Sequence, residues 1–129
     1  MGLSTFEEVN PLVQQTQILA ATGTNLAGVL SGSPRSQRID SMWAVNTDTI
    51  AHVVNVWTSY GGINYLLGSV NLPIGTGIAP TPPIDLLVAL FGAGNPGICL
   101  SSTSTLSVSA AIAVGGAFAI FVTSLGGQL

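Results

Sequence analysis

Few side chains in this sequence are equipped for chemistry. His52 is its single histidine and Cys99 its single cysteine. A cysteine protease brings such a pair together and holds the thiolate with a nearby cation. Cys99 instead lies in Gly97-Ile98-Cys99-Leu100, with no Arg or Lys close to it in sequence. That apolar setting predicts an inert core thiol, and one cysteine can form neither an intrachain disulfide nor a cysteine metal cluster. A metal on His52 would need two or three more ligands, and only scattered carboxylates remain. The expected role of His52 is a partly buried imidazole hydrogen-bonded across a strand. Spacing alone does not exclude a Ser-His-Asp triad, but no Gly-x-Ser-x-Gly elbow is present to hold its nucleophile. Asp40 and Asp48 flank a strand and a turn and resemble a glycosidase pair in type. Yet Asp48 sits in Asn46-Thr47-Asp48-Thr49, turn chemistry in which a carboxylate caps backbone N–H groups. There is no phosphate-binding loop and no dinucleotide fingerprint. The chain reads as a non-enzyme with no cofactor and no metal.

The remaining candidates are contact residues. Trp43 and Trp57 are either a sugar-stacking platform or anchors of a core or interface. A carbohydrate-binding module predicts one of them exposed among polar neighbours, whereas an assembly subunit predicts both packed. Arg35 and Arg38 are the only cations. They either meet acidic groups of a neighbouring subunit or, for Arg38 with Asp40, form a surface ion pair of small worth. Phe6, Glu7 and Glu8 lie in residues 1–16, read as an extended N-terminal arm that docks on a neighbour; residues 17–129 are read as one domain.

Composition narrows the classes further. Of 129 residues only seven are charged, Glu7, Glu8, Arg35, Arg38, Asp40, Asp48 and Asp85, and none is Lys. Phosphate-driven nucleic-acid binding rests on many cations and is excluded. The apolar share, 47%, is that of an ordinary globular chain, so polarity comes from 13 Ser, 12 Thr, 7 Asn and 5 Gln. A small domain with so few surface charges tends to associate. The expected state is a subunit covered by identical or different neighbours, where a desolvated charge would be a liability. The N-terminus shows neither a basic region with an apolar run nor a myristoylation pattern. Residues 106–122 are apolar enough for a membrane test, but Leu106, Val108, Ala110, Ile112 and Val114 alternate with Ser107, Ser109, Ala111 and Ala113. A period of two marks a strand. Gly115-Gly116 then reads as a tight hairpin turn into Ala117–Leu125.

The elements that would position these residues are short strands. A strand is expected near 17–21 and a weak one near 26–30. The run Gln37–Asn46 should put Ile39, Ser41, Trp43 and Val45 on one side. Thr49–Thr58 is dense in β-branched and aromatic residues. Ser59-Tyr60-Gly61-Gly62 turns it into Ile63–Leu72. Pro73–Pro83 is a loop, since its prolines lack ladder N–H groups. Ile84–Leu90 is a continuous apolar run, followed by a turn and a short strand at 98–100. No segment has a convincing helical period. Seven or eight strands with turn signals between them predict an all-β chain, an antiparallel β-sandwich or jelly roll.

The stretch Arg38–Pro73 and the ending Leu106–Leu129 resemble small virion proteins of tailed bacteriophages. The residues that carry the likeness are Arg38, Ile39, Asp40, Asn46, Thr47, Asp48, Gly62, Tyr65, Leu67, Gly68, Pro73, Gly126 and Gly127. Gln128-Leu129 departs from the acidic-aromatic ending typical of that group. The resemblance implies a β-sandwich capsid decoration (cement) protein at the virion surface, assembled in the host cytoplasm. Its implied partners are the major capsid protein and copies of itself, often as trimers, with no nucleic acid and no membrane. A tail, neck or fibre-base protein and a glycan-binding adhesion module are the alternatives.

Overall fold

In the computed structural model, residues 10–30, 36–94 and 97–128 are described. Nine strands form two antiparallel sheets: β1 (Asn10–Leu19), β2 (Ala27–Leu30), β3 (Gln37–Asn46), β4 (His52–Tyr60), β5 (Ile63–Leu72), β6 (Ile84–Asp85), β7 (Ile98–Leu100), β8 (Thr105–Ala110) and β9 (Ala119–Gln128). The first sheet runs β1-β9-β3-β6, with β7 also on β3, and the second runs β2-β8-β4-β5. Apart from the β4–β5 hairpin and the β6–β7 pair, successive strands alternate between the sheets. That order is a jelly roll, two Greek keys folded face to face. The expected all-β sandwich is the fold observed.

The core lies between the sheets. Ile18, Met42, Val54, Val56, Leu72, Leu106, Val108, Ile120 and Val122 are fully buried in one cluster. Leu106, Val108 and Ala110 are inward as their alternation predicts. The β4–β5 hairpin also matches: Tyr60 opposes Ile63, and Gly61 and Gly62 both take positive φ, 61° and 80°. A two-residue turn of that kind suits glycine and matches the strand twist.

Five expectations are corrected. Residues 10–16, assigned to an arm, are the first part of β1, paired with β9 from Asn10↔Gln128 to Leu19↔Ala119. The period there was faint because the inward positions include a polar residue, Thr16, whose hydroxyl donates to the Gly28 carbonyl of β2 at 3.0 Å. Phe6, Glu7, Glu8 and Arg35 lie outside the described residues. Second, Gly115-Gly116 is not a hairpin turn. Strand β8 belongs to the second sheet and β9 to the first, so residues 111–118 cross between sheets, and neither glycine takes a positive φ.

Third, Ile84–Leu90 is not one strand. After the two residues of β6 the chain forms a helix, α1 (Leu86–Phe91), capped by Asp85, whose carboxylate accepts from Leu87 N at 3.0 Å. The signal was present as an Asp before the apolar run and Gly92 after it, the usual helix start and stop. Fourth, Ile39 and Trp43 do not share a side. Ile39 pairs with Gly126 but Ser41 pairs with Leu125, so Asp40 is an unopposed bulge residue. A bulge resets the alternation: Gln37 and Ile39 point inward, and so do Met42, Ala44 and Asn46, leaving Trp43 outside. The strands close tightly there, and a Cβ on Gly126 would overlap the Arg38 carbonyl oxygen. Fifth, Cys99 is exposed, not core; it sits in β7 opposite Arg38 while Leu100 takes the buried place.

These contacts separate two glycines. Gly126→Ala must displace backbone, so unfolding in urea should show a loss of about 1–3 kcal/mol. Gly116→Ala meets nothing within 4 Å and should stay within about 0.5 kcal/mol of the parent chain.

Candidate functional site

Two places concentrate the residues singled out by sequence. The first is a polar corner between the ends of β3 and β4. Asn46 is fully buried and donates from Nδ2 to the carbonyls of Ile50 at 3.0 Å and Leu72 at 3.2 Å, while its Oδ1 accepts from Asp48 N at 3.0 Å. Thr47 clamps Ala119 at the start of β9: its N–H and hydroxyl both donate to the Ala119 carbonyl, and its Oγ1 accepts from Ala119 N at 2.8 Å. Asp48 turns inward. Its Oδ1 accepts from Thr49 N at 2.6 Å, and its Oδ2 accepts from Gly115 N at 2.8 Å and from His52 Nε2 at 2.7 Å.

Every donor on Asp48 favours the ionised carboxylate. The Gly115 N–H is the largest cause, the His52 ring N–H the next, and together with Thr49 N–H they outweigh the upward push of burial. Its pKa falls from 3.8 to about 2. An ionised carboxylate only accepts, so Nε2 of His52 carries the proton. Nδ1 of His52 is buried and meets no hydrogen-bond partner among the described residues. The imidazole was expected to bond across a strand and be partly buried. Instead it is 2% exposed and bonds four residues back along its own chain, because the turn folds Asp48 under the start of β4. Among the described residues, no serine, cysteine or threonine side chain hydrogen-bonds to the Asp48–His52 pair except the Thr49 hydroxyl, 3.4 Å from Asp48 Oδ1. Among the described residues, no three His, Cys, Asp or Glu gather in one place. What this arrangement does is hold β3, β4, the 111–118 crossover and β9 to one another. Asp40 is remote from it in role: it takes the Arg38 guanidinium Nε at 2.8 Å.

The second place is the outer face of the first sheet. Cross-strand rows there read Val13–Leu125–Ser41, Gln15–Thr123–Trp43 and Gln17–Phe121–Val45. Trp43 is 40% exposed, and Val13, Leu19, Phe121 and Leu125 are exposed with it. Trp43 and Phe121 are diagonal neighbours, two residues apart across adjacent strands, within reach of one another. Gln15, Gln17 and Thr123 supply amides and a hydroxyl beside the rings. Strands β1 and β9 contain no charged residue, and β3 none after Asp40. Trp57 lies on the other sheet, half-buried, with its indole N–H donating to Ser109 Oγ at 3.0 Å. The two tryptophans therefore do not form one platform. Sequence reasoning missed Phe121, Leu125 and Val13 as surface residues because the bulge at Asp40 and the pairing of β1 with β9 were not foreseen.

No protein-family model, no curated protein and no solved structure matches this chain. No helix among the described residues is long and apolar enough to cross a membrane.

The sign of the acid response follows from Asp48. Its folded pKa lies below 3.8, so its stabilisation is complete above about pH 4 and is lost as pH falls through about 2. In thermal melts, Asp48→Asn should lower Tm at neutral pH, and the gap from the parent chain should shrink steadily below about pH 4.

Proposed function

We propose that this chain is a structural virion protein of a tailed bacteriophage, a capsid decoration protein that binds the major capsid protein and stabilises the head. The observation that carries the reading is the neutral, apolar-aromatic outer face of the first sheet. Trp43 at its centre is exposed, against the expectation that an assembly subunit packs both tryptophans; it supports the reading as an interface anchor that a partner would cover, among polar side chains that need no charged partner. Charge is sparse over the rest of the described residues as well, where Arg38, Asp40, Asp48 and Asp85 are the charged side chains. Asp48 and Asp85 are turned onto backbone N–H groups, and Arg38 pairs with Asp40. A surface meant to be covered gains from this, since no ion must be stripped of water when the partner arrives.

Size supports the same conclusion. Three strands by four residue rows span roughly 400 Å² of footprint, about half of the ~800 Å² that one partner gives to a stable pair. A single copy would hold weakly, and repetition over a particle would multiply the effect. The jelly-roll fold is found in both capsid and lectin domains, so fold alone does not choose between them.

One observation favours a second reading, an adhesion module for host glycans. Trp43 is exposed beside Gln15 and Thr123, the surroundings in which an aromatic ring stacks on a sugar. Quantitative gels of purified particles separate the readings. Decoration predicts on the order of hundreds of copies per particle, and Trp43→Lys should cut occupancy about tenfold or more. A dozen or fewer copies would point to the neck or tail. Glycan-array signal that Trp43→Ala abolishes, with occupancy unchanged, would establish the adhesion module instead.

A further inference from the structure

The tip of the β4–β5 hairpin is built unlike the rest of the sandwich. Strand β5 is the edge of the second sheet. Its last residues are covered on the core side, where Leu90 of α1 packs so closely that a Cβ on Gly68 would come within 2.5 Å of its Cδ2. From Ile63 to Leu66 that cover is gone. Tyr65 shares a cross-strand row with Thr58 and the fully buried Leu106, so it stands on the core side of the sheet. Even so it is 49% exposed, and Ile63 and Leu66 are 57% and 52% exposed. Ile63 and Tyr65 alternate with Asn64 and Leu66, so both faces of the tip are open and largely apolar, with Tyr60 at the turn also exposed.

Edge strands are normally blunted by charge, proline, cover or a bulge, and the one bulge of β5 falls just past the tip, at Leu67 between the pairs Trp57↔Leu66 and Val56↔Gly68. Here no Asp, Glu, Lys or Arg occurs between Asp48 and Asp85, and no proline occurs in β5. In a hairpin with a two-residue turn the flanking pair exchanges both hydrogen bonds and the next pair exchanges none. Tyr60 and Ile63 are that flanking pair, so Asn64 and Leu66 direct their backbone groups away from β4.

We propose that this edge pairs with the same edge of a second copy, antiparallel about a twofold axis. The occupant follows from three features. An unpaired strand edge is complementary to another strand; antiparallel pairing of identical edges is self-complementary; and a neutral segment meets its own image without repulsion. The four exposed apolar side chains offer on the order of 400 Å² per copy, again about half the ~800 Å² of a stable partner. The pairing is therefore weak and concentration-dependent. It uses a different sheet from the face assigned to the capsid protein and goes beyond that assignment: one surface holds the particle, the other links copies.

Sedimentation equilibrium of the purified chain from about 10 μM to about 1 mM tests this without any particle, so its outcome is independent of the virion reading. A monomer–dimer equilibrium with its midpoint in that range is expected. Asn64→Pro removes an outward N–H while leaving the pairing to β4, and should weaken dimerisation at least about tenfold. Ile74→Lys, at an exposed loop position, should leave it unchanged. Amide exchange on the unaltered chain does not depend on how the proline variant folds: Asn64 and Leu66 amides should gain protection at high concentration. A chain that stays monomeric, a dimer with those two amides unprotected, or a folded Asn64→Pro that still dimerises would each overturn the proposal.

Discussion

The carboxylate of Asp48 is the constraint on which one end of this sandwich depends. A jelly roll sends its chain back and forth between sheets, so its crossovers must be tied down where they meet. Asp48 accepts from its own turn, from the first residue of β4 and from the β8–β9 crossover. Asn46 and Thr47 extend the same knot to the end of β5 and the start of β9. Three consecutive residues thereby satisfy backbone groups from segments far apart in sequence. Hydrogen bonds to an ion are stronger than neutral ones, and buried networks are effective only when nearly complete. The unpartnered Nδ1 of His52 is the exception among the described residues.

Charge is thus used inside the fold at Asp48, and Arg38 and Asp40 form an ion pair on the surface. Asp85 repeats the device on the other side: one carboxylate oxygen caps α1 at Leu87 N and also accepts from Met42 N in β3 at 3.1 Å. The helix is fastened to the first sheet by the same atom that starts it. With Asp48 and Asp85 committed in this way, the described exterior consists mostly of hydroxyls, amides and apolar side chains beside the Arg38–Asp40 pair. Such a surface suits a molecule that spends its working life in contact with others, and the neutral sheet face and the bare hairpin tip are two expressions of it.

How much of this was legible in the sequence depends on whether the signal was local. Strands β3 and β5 carry their boundaries in their own residues, by Asn46-Thr47-Asp48 chemistry at one end and Gly61-Gly62 at the other. The role of Asp48 as a cap for backbone N–H groups could be read from its turn, although its bonds to His52 and to Gly115 in the crossover could not. What failed was non-local. A bulge depends on the register with β9, which no residue of β3 announces, and it reversed the side assigned to Trp43. The alternation held for Leu106–Ala110 and Ile120–Val122 but not at Ile112 and Phe118, which are exposed in the crossover, and adjacency in sequence did not mean pairing in space. Cys99 was misplaced because three apolar residues in a row do not say which of them faces in. The short helix was overlooked because a single hydrophobic turn has too few residues to display a period.

Strand order also bears on how the molecule is made. Strand β9 is the latest of the nine in the chain, yet it lies in the interior of the first sheet, between β1 and β3. Residues 10–19 leave the ribosome well before residues 119–128, their neighbour in the sheet. The opening strand must wait for nearly the whole polypeptide, with its ladder groups unsatisfied and its apolar side chains in water. Pairings this distant close slowly and expose intermediates to aggregation. The first sheet therefore closes only after β9 has been made.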